Sequence, residues 1–232
     1  MGTLSKSKTI FEIAIVLAIM LGVKDILDRF EVIAAGSIAM WVGIGTATLF
    51  MRQHGISWNS LGLTLPKGRT AWLKAVGIAL ATVVGVILFM FLIMPMIGQI
   101  VGVEVPDGAK DRFAFLVGQP LKFIAYLVVV IWLGAAMGEE LLMRGFLLNY
   151  LGNLFGDSKK GWALAVLVHA AIFGSLHIYQ GFYGVIGTGV VAVIFAVVYL
   201  RVKRKLVPVI LAHGILNSLS LTAYYLSDGI VT

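Results

Sequence analysis

Glu139 and Glu140 stand side by side inside an apolar run from Phe123 to Leu151, FIAYLVVVIWLGAAMGEELLMRGFLLNYL. A carboxylate at membrane depth costs several kcal/mol, so an ionisable residue there is a functional candidate by default. Arg144 follows Glu140 by four positions. On an α-helix, residues four apart share a face, and acid before base is the favourable order. Glu140 and Arg144 are therefore expected to pair, with Glu140 ionised and structural. Glu139 points about 100° away, onto the face of Ala135, Ala136 and Leu142. It has no partner on its own helix, which leaves it free to act as a general base. The opposing reading has both carboxylates satisfied by contacts between helices.

Two further pairs carry polar groups at helical spacing: Phe173 and His177 in IFGSLHIYQG, and His213 and Asn217 in ILAHGILNSL. A lone histidine or asparagine in a span often only joins helices through hydrogen bonds. Three such helices in one chain can converge, and Glu, two His and Asn can activate a water and stabilise an oxyanion. Glu139, His177 and His213 could equally hold a zinc ion with an open position. Spacing leaves both readings open. His169 lies two turns from His177 on the same face and is read as structural. His54 sits in a basic loop and is expected to be solvated. Ser175 and His177 are two apart, so their side chains diverge and a Ser/His dyad is unsupported. No His is followed by Glu as in H-E-x-x-H, no paired aspartates lie in a span, and no G-x-S-G occurs. Cysteine is absent, which excludes disulfides, thiolate metal sites and a cysteine nucleophile.

The elements that must position these residues follow from composition. With 60% hydrophobic and 12% charged residues, the chain reads as an all-α, polytopic transmembrane helical bundle of about seven, or eight, spans. Seven apolar segments fall at about 9–27, 31–51, 71–97, 121–150, 161–180, 182–200 and 206–226. Basic residues alternate by loop: Lys6 and Lys8; Arg52, Lys67, Arg69 and Lys74; Lys159 and Lys160; Arg201, Lys203, Arg204 and Lys205. The intervening loops are balanced or acidic, with Lys24, Asp25, Asp28, Arg29 and Glu31 in one and Glu104, Asp107, Lys110, Asp111 and Arg112 in the next. The positive-inside rule then places the N-terminus in the cytoplasm and the C-terminus outside. It also accounts for the net charge of +7 without a nucleic-acid partner. Residues 52–70 are expected along the cytoplasmic interface, and 98–120 form an exterior loop. His177 falls near the external end of its span, so the Gln180–Gly184 turn is expected to lie within the membrane against a protein cavity.

Taken in order, Glu139-Glu140-x-x-x-Arg144, Phe173-x-x-x-His177 and His213-x-x-x-Asn217 resemble the three motifs of the CPBP family, which contains the type II CAAX prenyl endopeptidases and the bacteriocin-processing, or Abi, proteins. The flanking text RGFLLNYL, HIYQG and LVPVILAHGILN is similar as well. The resemblance covers about residues 120–226 as a catalytic core. Residues 1–119 carry no motif and match the family's variable N-terminal spans, within one integrated membrane domain. The resemblance implies an intramembrane endopeptidase. In it Glu139 and His177 would activate water, His213 and Asn217 would bind the oxyanion, and Glu140, Arg144 and Phe173 would support the site. No cofactor is favoured; zinc on Glu139, His177 and His213 is the alternative. The implied partners are a membrane-associated peptide or protein substrate and the lipid bilayer; the oligomeric state is not implied. The compact chain looks prokaryotic, which places it in the plasma (inner) membrane. Competing readings are a non-catalytic immunity or partner protein and a proton-coupled carrier. The carrier expects an inverted repeat, which the sequence does not clearly show.

Overall fold

The computed structural model describes residues 4–102 and 111–227, with side chains from 113 onward in the second part. Of the predicted exterior loop, Glu104, Asp107 and Lys110, and the side chains of Asp111 and Arg112, lie outside what is described. The described residues form seven long helices and no strand: α1 (Lys6–Arg29), α2 (Ala35–Gln53), α3 (Arg69–Val101), α4 (Pro120–Phe155), α5 (Lys159–Ser175), α6 (Gly181–Arg201) and α7 (Val207–Leu226). Each coincides with one of the seven apolar segments.

Local signals set the ends. Ser5 caps α1 by accepting from the Lys8 amide, and Ser158 caps α5 by accepting from the Gly161 amide. Pro120 and Pro208 open α4 and α7, where a missing N–H costs nothing. Inside α3, Pro95 cannot donate to the preceding turn, and the helix widens to i→i+5 bonding over Phe89–Ile93 just before it. In α4 the same wide winding runs from Leu127 to Leu147. Such winding is rare and recurs at functional sites.

By length and composition, α3, α4, α7 and the stretch Ile178–Arg201 that contains α6 are long and apolar enough to cross a membrane. These four are the spans the structure supports; α1, α2 and α5 are helices at the other predicted positions. A helical membrane bundle results, with four such spans where the sequence suggested seven or eight.

In lipid, helices associate through close packing of small residues rather than by hydrophobic exclusion. Glycines mark each close approach to α4: Gly138 faces Met40, Gly43 faces Leu142, and Gly214 lies flat against the Trp132 ring. A Cβ on Gly174 would stand 2.6 Å from the Val185 carbonyl, so α5 and α6 cross almost backbone to backbone. The central helix is α4, whose Leu142, Met143, Phe146, Leu147, Leu148 and Tyr150 are all fully buried.

The basic loops gather at one end. Asn153, near the end of α4, donates to Thr9 Oγ1 at 3.3 Å near the start of α1. The segment after α2 is tied to the α6–α7 turn: Tyr199 donates to the Leu61 carbonyl at 2.8 Å, and the Leu206 amide donates to the Gly62 carbonyl at 3.0 Å. Trp58 donates to Thr48 at 2.9 Å, and Ile56 and Leu61 are buried. The segment is thus folded onto the basic end of the bundle. One expectation fails here. His54 is not solvated: its Nε2 lies 2.7 Å from Glu12, a carboxylate only 1% exposed. An unpaired buried carboxylate is costly, and Glu12 draws the loop histidine in.

Candidate active site

The predicted Glu140–Arg144 pair forms. Arg144 Nη1 donates to Glu140 Oε1 at 2.9 Å, and both side chains are buried. The same carboxylate oxygen accepts from His213 Nδ1 at 2.8 Å, which joins α4 to α7. Sequence reasoning assigned His213 to an oxyanion and did not foresee this bond, because no spacing rule links residues on distant helices. Glu140 Oε2 and Arg144 Nε are buried without a hydrogen-bond partner among the described residues.

Two aromatic faces cover the guanidinium. Its carbon sits 4.8 Å from the Phe173 ring centre and 5.2 Å from that of Phe195, within the range of a cation–π contact. Phe195 also meets His213 edge-on at 5.8 Å. Phe173, the first residue of the second motif, therefore has a physical role: it shields the Arg144 charge. Phe195 carried no sequence signal, being one aromatic in the apolar run VIFAVVYL.

His177 lies just beyond α5, followed by the short turn Ile178–Gln180. Its Nδ1 is 2.9 Å from the Phe173 carbonyl, and its ring lies 4.7 Å from the Phe173 ring. A carbonyl only accepts, so Nδ1 carries the proton and Nε2 presents a lone pair. Ser175 donates instead to the Ala171 carbonyl at 2.8 Å, in keeping with the absence of a Ser/His dyad. His169 is fully buried, stacks on Phe173 at 6.4 Å between ring centres, and has no hydrogen bond on either nitrogen among the described residues.

Glu139 and Asn217 are half-buried, and neither makes a hydrogen bond or ion pair among the described residues. Wide winding brings residues five apart toward one side, so Arg144 feels the Glu139 charge as well as that of Glu140. Its hydrogen bond still goes to Glu140. The structure thus connects Glu140, Arg144, His213 and Phe173, and His177 through Phe173. It leaves Glu139 and Asn217 outside the bonded network. Among the described residues no three His, Asp or Glu side chains are arranged to hold a metal ion.

A buried Glu–Arg–His network across two apolar helices, with an unpaired glutamate beside it, defines a polar centre inside a helical membrane protein. Residues 120–219 match the model of a protein family described as type II CAAX prenyl endopeptidase Rce1-like. No curated protein and no solved structure matches the chain.

Proposed function

We propose that this protein is an intramembrane endopeptidase that cleaves a membrane-associated peptide or protein with a water activated by Glu139 and His177. The observation that carries the reading is the inequality of the two carboxylates: Glu140 is held by Arg144 and His213, while Glu139 keeps both oxygens free. A general base needs that freedom.

In the proposed reaction Glu139 takes one proton from the water, and His177 Nε2 accepts the hydrogen bond of the other. The water oxygen bonds to the scissile carbonyl carbon, and the carbonyl oxygen becomes an oxyanion. Asn217 Nδ2 and His213 Nε2 donate to it. Because His213 Nδ1 faces Glu140, the ring must carry both protons for Nε2 to donate, with Glu140 as its counter-ion. When the C–N bond breaks, protonated Glu139 returns its proton to the leaving amine. No step is routed through zinc; Glu139, His177 and His213, the residues that a zinc reading would use, are not grouped to hold an ion.

The test uses the full chain in liposomes with a fluorogenic prenylated CAAX peptide as probe. Glu139→Gln is expected to lower turnover by about 10²- to 10⁴-fold at an unchanged melting temperature. Turnover at the wild-type rate excludes the mechanism. Loss of activity with a zinc chelator, restored by zinc, replaces the water-only reading with a metal-held one. Folded wild-type protein that cleaves neither prenylated nor unprenylated membrane peptides favours the non-catalytic partner reading.

A further inference from the structure

A cavity lies away from the glutamates. It is a groove of about 990 Å³ between α5 and α6, at the end where the basic loops gather. Its two ends differ in chemistry. The rim carries Lys159, Arg201, Lys203 and Arg204 against a single acid, Asp157. The wall running from the rim along the helices is apolar, with Ala163, Val166, Leu167, Val197 and Leu200. Leu167 and Val197 are 61% and 40% exposed, so the apolar wall of the groove is open to the outside.

The rim is built rather than incidental. Arg204 lies 5.4 Å over the Trp162 ring and donates to Asn149 at 3.3 Å, while Trp162 in turn donates to Asp157 at 2.7 Å. Asp157 is therefore engaged with the indole and forms no ion pair with the rim cations among the described residues. Lys203 and Arg204 both adopt left-handed backbone, with φ of 57° and 58°. Each such non-glycine residue costs on the order of 1–3 kcal/mol, a cost that recurs at ligand clamps. The turn is held there by the Arg204 carbonyl, which rests on Gly62 where no Cβ would fit. Four cations beside an apolar trough have the charge and shape of one class of ligand, a phosphate headgroup with its acyl chains. Basic pockets between helices at one membrane face are known headgroup sites.

We infer that the α5–α6 groove is a binding site for an anionic phospholipid, with its phosphate on Lys159, Arg201 and Lys203 and an acyl chain along Leu167 and Val197. The site is independent of the catalytic reading and stands whether or not the glutamates cut peptides.

The test is native mass spectrometry of the full chain released from nanodiscs of phosphatidylglycerol mixed with phosphatidylcholine. Wild type is expected to retain phosphatidylglycerol selectively. The variant Lys159→Gln/Arg201→Gln/Lys203→Gln is expected to bind it about ten-fold more weakly or worse, and Lys122→Gln, at the far end of α4, as wild type does. Leu167→Trp, which fills the trough, should also weaken retention. These side chains are exposed, and a melting curve checks the fold; if the triple variant does not fold, Arg201→Gln alone is expected to show a several-fold loss. Equal retention of the two lipids overturns the proposal, as does unchanged retention by the charge variants. Displacement by inorganic phosphate with no effect of Leu167→Trp would make the site one for free phosphate, and overturns it also.

Discussion

At the scale of single residues, Glu140 is the keystone of the buried network. Its one bonded oxygen serves Arg144 and His213 together. Removing one member of a buried pair leaves the other charge uncompensated, at about 3–5 kcal/mol. Glu140→Ala is therefore expected to lower both melting temperature and turnover. The double variant Glu140→Leu/Arg144→Met removes both charges at similar volume and is expected to recover the melting temperature, since such replacements are often neutral or stabilising. It should not recover turnover, because His213 has lost its Nδ1 acceptor. Thermal unfolding and peptide cleavage on the same preparations separate the two effects. A double variant that regains activity would reduce Glu140 to a structural role. The pair itself was legible in the sequence because four residues on one helix is a local relation. The His213 bond was not, since it depends on how α7 docks on α4. Glu12 was legible and passed over: a carboxylate in the apolar run TIFEIAIVLAIM obeys the same rule that singled out Glu139.

At the scale of elements, glycine decides how near helices come. Gly174 lies beside Phe173, whose carbonyl holds His177. A methyl group there meets backbone, which cannot swing aside as a side chain can. Gly174→Ala is expected to push α5 from α6, cost about 1–3 kcal/mol as other overpacked contacts do, and cut turnover by displacing His177. Gly77→Ala on α3 meets nothing within 4 Å and is expected to be neutral or stabilising by up to about 1 kcal/mol. Melting temperatures of the two variants test the contrast; equal effects would mean that the α5–α6 crossing is not under this constraint. Periodicity and hydropathy located all seven helices, because length and apolarity are properties of the segment itself. The wide winding of Leu127–Leu147 left no such trace. The fold of residues 54–68 was equally hidden, because its bonds go to Tyr199 and Leu206, more than a hundred residues away.

At the scale of the whole molecule, the helix order sorts charge to one end. The start of α1, the segment after α2, the α4–α5 loop and the α6–α7 turn are mutually connected through Asn153–Thr9, Tyr199–Leu61 and Arg204–Asn149. They hold most of the Lys and Arg, while Glu31 and Lys122 stand where α2 and α4 begin, at the opposite end. By the positive-inside rule this sorting is expected to orient the protein with its basic end in the cytoplasm. Because the chain contains no cysteine, single cysteines can be introduced at exposed positions without altering the background. Glu31→Cys and Lys122→Cys in intact spheroplasts are expected to react with a membrane-impermeant maleimide. Lys6→Cys, Lys67→Cys and Lys160→Cys should react only after permeabilisation. The reverse pattern would invert the protein and move both the basic groove and its lipid to the outer leaflet. A split within either group would break the single-ended arrangement itself, because the three basic positions lie on segments that the structure ties to one another.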